Sequence, residues 1–158
     1  MTEIINYNTP EVHKFHGIES NMRVWELLGK ESLTSAEKQE MMHAAHASLF
    51  HWNKVGTAVN ETRGEWMISH VYAFLRWSQP AMYHAERCLK ICVDNNIGDF
   101  DLAYAYESMA RALASNEDPE EAKKYLDLAG KASDIIADPE NKKLFIADFE
   151  AGPWYGVK

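Results

Sequence analysis

Residues 103–129 read AYAYESMARALASNEDPEEAKKYLDLA, and this stretch decides the fold. Tyr106, Met109, Ala110 and Leu113 recur at spacings of three and four, the period of one helix face. Asp118-Pro119-Glu120-Glu121 then opens a second helix. The aspartate caps a free first-turn amide, and proline stands where no intrahelical N–H is required. Ala122, Leu126 and Ala129 mark the inner face that follows. Two helices joined by so short a break must lie antiparallel.

The same punctuation extends outward in both directions. Thr34-Ser35-Ala36-Glu37 has capping-box spacing, and Asp138-Pro139-Glu140 repeats the aspartate–proline start. Ser78-Gln79-Pro80 and Asn95-Asn96-Ile97-Gly98 are breaks. Helices are expected near 18–29, 35–55, 61–77, 79–94, 99–115, 119–136 and 139–151. No window alternates as a strand does. The expectation is an all-α bundle of antiparallel hairpins with about seven helices, occupying 17–158 as one domain. Residues 1–16, with Pro10 and no clear period, read as an N-terminal arm. Gly152-Pro153-Trp154-Tyr155 ends the last, capping helix in an aromatic tail expected to fold back onto the body.

Composition narrows the function classes. With 158 residues, 46% hydrophobic, the chain can fill a sizeable core. A net charge of −8 argues against nucleic acid or an anionic membrane surface, both of which require a basic footprint. The longest apolar candidate, Trp66 to Leu75, is too short to span a bilayer and is interrupted by Ser69 and His70. The N-terminus lacks the basic start and apolar core of a signal peptide. Two cysteines, Cys88 and Cys92, make no disulfide framework. A cytoplasmic location is expected.

Residues 103–136, with their large, large, small, large set followed by a small, large, small set, resemble a tetratricopeptide unit of about 34 residues. Residues 62–95 are similar, with Ile68, Ser69 and Tyr72 on the first helix and Ala81, Ala85 and Cys88 on the second. A looser third pair is 20–55. The offset from Ala81 to Ala122 is 41 residues, so the likeness favours a compact bundle over an extended superhelix. The whole chain also resembles a bacterial group of small helical proteins of this type, a likeness that implies no activity. Tetratricopeptide resemblance implies a right-handed arrangement whose first helices line a groove for a protein, a peptide or a small ligand. Carried over position by position, the groove would present Arg63, Trp66, His70 and Phe74, then Tyr104, Glu107 and Arg111. Glu107 and Arg111 also have the i, i+4 order of a helix ion pair.

Between Glu40 and Lys54 no charged residue occurs, yet His43, His46 and His51 do. Glu40-x-x-His43 and His43-x-x-His46 place three metal-capable groups within two turns, the spacing of a metal site. His43, His46 and His70 together give the alternative reading of a small enzyme or metal-binding protein. An uncharged face bearing His and Phe50 also suits an interface between identical chains, which would make the protein a homo-oligomer. Packing against the N-terminal helix is the third reading. His84, Cys88 and Cys92 share one stripe, which reads as buried structure more readily than as a zinc site. No phosphate-binding loop, nucleophile elbow or His-Glu-x-x-His motif occurs, so no cofactor is assigned and catalysis has no motif behind it.

Overall fold

The computed structural model describes residues 6–158. Seven helices follow one another: α1 (Pro10–Leu28), α2 (Ser35–Val55), α3 (Ala58–Phe74), α4 (Ser78–Asp94), α5 (Asp99–Ser115), α6 (Pro119–Asp134) and α7 (Pro139–Glu150). No strand occurs among the described residues. α1 packs on α2, α3 on α4 and α5 on α6, while α3 and α5, the first helices of two successive pairs, also lie against each other.

The caps form as the side-chain chemistry dictates. Glu37 N donates to Thr34 Oγ1 (3.2 Å) and Thr34 N to Glu37 Oε2 (2.9 Å), completing the box. Asp118 and Asp138 accept from Glu121 N and Asn141 N. The expected arm over 1–16 needs correction. Thr9 accepts from Val12 N and Pro10 occupies the first turn, so α1 begins eight residues before the expected position 18. Residues 10–16 are therefore helix, and 1–5 lie outside the described residues. Burial holds this early turn in place: Gly17 meets the Trp52 indole, and its carbonyl accepts from Ser48 Oγ at 2.8 Å.

Three helix ends use the same device without glycine. Arg76, Asn96 and Glu117 have φ of 59°, 54° and 59°. The following amides of Trp77, Ile97 and Asp118 reach back to the carbonyls of Tyr72, Cys92 and Leu113. This left-handed cap turns the chain sharply enough for a hairpin and satisfies otherwise free carbonyls.

Small side chains let the middle helices approach. Ala81, Ala85, Cys88 and Cys92 form the buried stripe of α4. Across it Ser69 Oγ donates to Ala81 O and Thr62 Oγ1 to Cys88 O, each at 2.9 Å. α5 is buried from Ala103 to Ser115 apart from Tyr106, and its alanines accommodate neighbours on several sides.

At the centre of α5, Glu107 (0% exposed) and Arg111 (2%) form a buried ion pair, Nε to Oε1 at 2.6 Å. The remaining polar atoms are satisfied from elsewhere. Trp66 Nε1 donates to Glu107 Oε2 at 2.7 Å. Arg111 donates to the carbonyls of Asp148, Ala151 and Pro153 at the end of α7 and in the tail. Its guanidinium lies 4.1 Å from the Trp154 ring centroid. The aromatic tail thus folds back as expected, and Tyr155 donates to Ala73 O at 2.6 Å. Arg111→Met is expected to cost about 3–5 kcal/mol in urea unfolding, because Glu107 is left as a lone buried charge. The double variant Glu107→Gln/Arg111→Met keeps an acceptor for Trp66 and no charge. It is expected to lose less than Arg111→Met alone; an additive or larger loss contradicts this account.

Candidate functional site

A pocket of about 440 Å³ opens between α1, α3, α5 and α7. α3 supplies Thr62, Arg63, Trp66 and Met67, with Cys88 of α4 beside them. α5 gives Phe100, Asp101 and Tyr104, α1 gives Asn21 and Trp25, and α7 gives Leu144 and Asp148. Consecutive turns of α3 place Thr62, Arg63, Trp66 and Met67 on the pocket side through spacings of three and four.

The aromatic walls support one another. Trp25 stacks on Trp66 with ring centroids 6.0 Å apart, and Tyr104 stands edge-on to Trp66 at 5.1 Å and to Phe100 at 4.8 Å. The bond from Trp66 Nε1 to Glu107 fixes the indole from behind the pocket. Tyr104 donates to Asp148 Oδ2 at 2.6 Å. Burial first, and then that bond, raise the phenol's pKa, so it stays protonated. Arg63 grips Asp101 through a fork, Nε to Oδ1 at 2.7 Å and Nη2 to Oδ2 at 3.1 Å, and lies 5.6 Å from the Phe100 ring. Burial pushes the Cys88 thiol up to about 12, which keeps it a neutral thiol near neutral pH.

Of the residues expected in a groove, Arg63, Trp66 and Tyr104 do meet here. Glu107 and Arg111 do not line it, because their charges are spent on each other and on the tail. Phe74 sits at the end of α3, where its carbonyl accepts from Tyr155, away from the pocket. His70 stacks on Trp66 at 4.9 Å without lining the pocket. Its Nδ1 is buried with no hydrogen-bond partner. Burial, helped by the Arg111 charge, lowers its pKa to about 3.

The histidine helix is divided among different neighbours. Glu40 is held by Arg23 of α1 at 2.7 and 3.1 Å, which also keeps its carboxyl below the usual range. His43 is exposed, and His46 Nε2 lies 2.9 Å from the Tyr72 hydroxyl. His51 turns toward α1, with its Nδ1 2.8 Å from His13 Nδ1. His13 Nε2 donates to Asn8 Oδ1, so the His51 N–H is the donor of that pair when both rings are neutral. Glu40, His43, His46 and His51 therefore do not converge. Among the described residues no three His, Cys, Asp or Glu side chains form a metal-binding group. Phe50, 56% exposed, leaves this face open to solvent beside Lys54, which lies 5.1 Å from its ring.

Trp25 and Asp148 escape sequence reasoning because they come from helices distant in the chain, and Phe100 and Asp101 because they precede the repeat-like stretch that begins at 103. A second missed group is Glu65 with His84 and Arg87, bonded at 2.5 and 2.7 Å. Burial alone would raise the Glu65 carboxyl, but these two donors outweigh it and its pKa is lowered. His84 thereby points to α3 rather than joining Cys88 and Cys92 in a ligand set. No family model, curated protein or solved structure matches this chain.

His70 sets a pH dependence. Its folded pKa lies below the ordinary value of 6.5, so the unfolded chain takes up the proton first. Stability then falls as pH drops through the window from 6.5 toward about 3. Between pH 7 and 5, wild type is expected to lose about 1–2 kcal/mol more in urea unfolding than His70→Phe. Equal losses would remove His70 as the cause.

Proposed function

We propose that this protein is a non-catalytic binding module whose ligand occupies the pocket bounded by Trp25, Trp66 and Tyr104. The observation that carries this reading is the fixed Trp66 wall, anchored by Glu107 before any ligand arrives. Preorganisation of this kind lowers the ordering cost of binding. At about 440 Å³ the space falls in the small-ligand range. Antiparallel pairing and the contact of α3 with α5 support the tetratricopeptide likeness and a role in binding. The protonated Cys88 weighs against a thiolate nucleophile in this pocket. Two free cysteines suit a reducing, cytoplasmic setting, and among the described residues no helix is long and apolar enough to cross a membrane. A fluorescence titration with the apolar dye Nile red is expected to show one-to-one binding. Trp66→Ala should weaken it by about tenfold or more, since a buried aromatic anchor contributes about 2 kcal/mol. An unchanged affinity would take the pocket out of consideration.

A second reading concerns self-association. The face of α1 opposite its buried side exposes Phe15, Ile18 and Met22, at spacings of three and four. This is the seam pattern of two helices packing side by side. Lys14 and Glu19 flank it at positions that pair across a parallel dimer. The occupant is a second copy of the chain, meeting through α1 rather than through the 43–50 face. Sedimentation equilibrium is expected to give a dimer at micromolar concentration and a monomer for Ile18→Glu/Met22→Glu. A monomeric wild type at 100-fold higher concentration ends this reading.

A further inference from the structure

We propose that the pocket takes an amphipathic organic cation: a fully substituted ammonium group carrying an apolar or aromatic arm. The proposal rests on the pocket being a ligand site. It adds the charge and shape of the ligand, and both follow from the lining.

Three lining side chains are formally charged: Arg63, Asp101 and Asp148. Arg63 and Asp101 neutralise one another through their fork. Asp148 has no such partner. Its carboxylate accepts one hydrogen bond, from the neutral Tyr104 hydroxyl, and forms no ion pair among the described residues. Arg111, which touches Asp148, bonds its backbone carbonyl instead. The pocket therefore carries one uncompensated negative charge within a protein whose net charge is −8. An anionic ligand would meet repulsion at close and long range; a cation would gain from both.

The walls decide which cation. Ring faces attract positive charge through their quadrupoles, and Trp25, Trp66 and Tyr104 contribute to the lining, the Phe100 ring being already faced by Arg63. A primary ammonium would bring three N–H donors that must each be satisfied after dehydration. With Asp101 taken by Arg63, the lining leaves Asn21 and Asp148 as side-chain acceptors, on separate helices, for those three donors. A substituted ammonium has no N–H to satisfy and presents its charge through methyl or methylene groups, which match an apolar, aromatic wall. The pocket volume of about 440 Å³ exceeds what such a head group fills, so an arm occupies the remainder. Leu144 and Met67 provide apolar surface for it.

The test compares two probes of nearly identical shape, benzyltrimethylammonium and its neutral carbon analogue neopentylbenzene, by tryptophan fluorescence titration of the full chain. The cation is expected to bind wild type at least about tenfold more tightly than the neutral analogue, as a desolvated cation–π contact beside a carboxylate implies. Asp148→Asn keeps an acceptor for Tyr104 and removes the charge. It is expected to bring the two affinities within about threefold of each other. Equal binding of both probes by wild type, or a cation preference that survives Asp148→Asn, overturns the cation and leaves the pocket standing. If neither probe binds while Nile red does, the cation falls alone; if none of the three binds, the pocket reading falls with it.

Discussion

The buried pair of Glu107 and Arg111 is the constraint on which the remaining structure depends. Two charges withdrawn from water cost several kcal/mol each unless every donor and acceptor is met. Here the requirement draws in three other parts of the chain. Trp66 of α3 supplies the second donor to Glu107, while the end of α7 and the tail supply carbonyls to Arg111. Trp154 covers the guanidinium. None of these groups can shift without exposing or orphaning a charge. The indole that forms the pocket wall is therefore positioned by electrostatics on its far side, and the pocket inherits its shape from a pair it does not contain.

Packing explains why there is a pocket at all. α3, α4 and α5 approach closely because alanine, serine, threonine and cysteine line their contacts, with the Thr62 and Ser69 hydroxyls of α3 spending their hydrogen bonds on α4. α1 stands apart from this arrangement. Among the helices its backbone lies against α2 alone, and Trp25 bridges the gap to α3 through its side chain. The space between α1 and the α5–α7 side is too wide for small residues to close and is lined instead by large rings. A second histidine-rich junction, His13 against His51, lies elsewhere along the α1–α2 contact and takes no part in the pocket.

Much of the fold was legible because its signals are local. Asp118-Pro119 and Asp138-Pro139 announce helix starts through chemistry confined to four residues, and α6 and α7 begin where they say. Thr9-Pro10 is the same device, but the weak periodicity of α1 hid it, and an arm was expected where a helix runs. The site was legible only in part. Arg63, Trp66 and Tyr104 sit on helix faces that a repeat pattern can nominate. Asp101 and Asp148 matter through pairings 38 and 44 residues away, for which no local spacing exists. Glu107 and Arg111 carried the opposite ambiguity: their i, i+4 order was visible, but burial, which decides that they are structural, was not.

The pocket draws its lining from Asn21 at one extreme to Asp148 at the other, across five of the seven helices. No single hairpin contains a binding-competent fragment of it. A molecule bound there would consequently recognise the native assembly alone, and mass action would transmit its occupancy to the global unfolding equilibrium. At about 100 times its dissociation constant such a ligand adds about 2.7 kcal/mol to that equilibrium. Saturation would thus make the whole domain more resistant to unfolding.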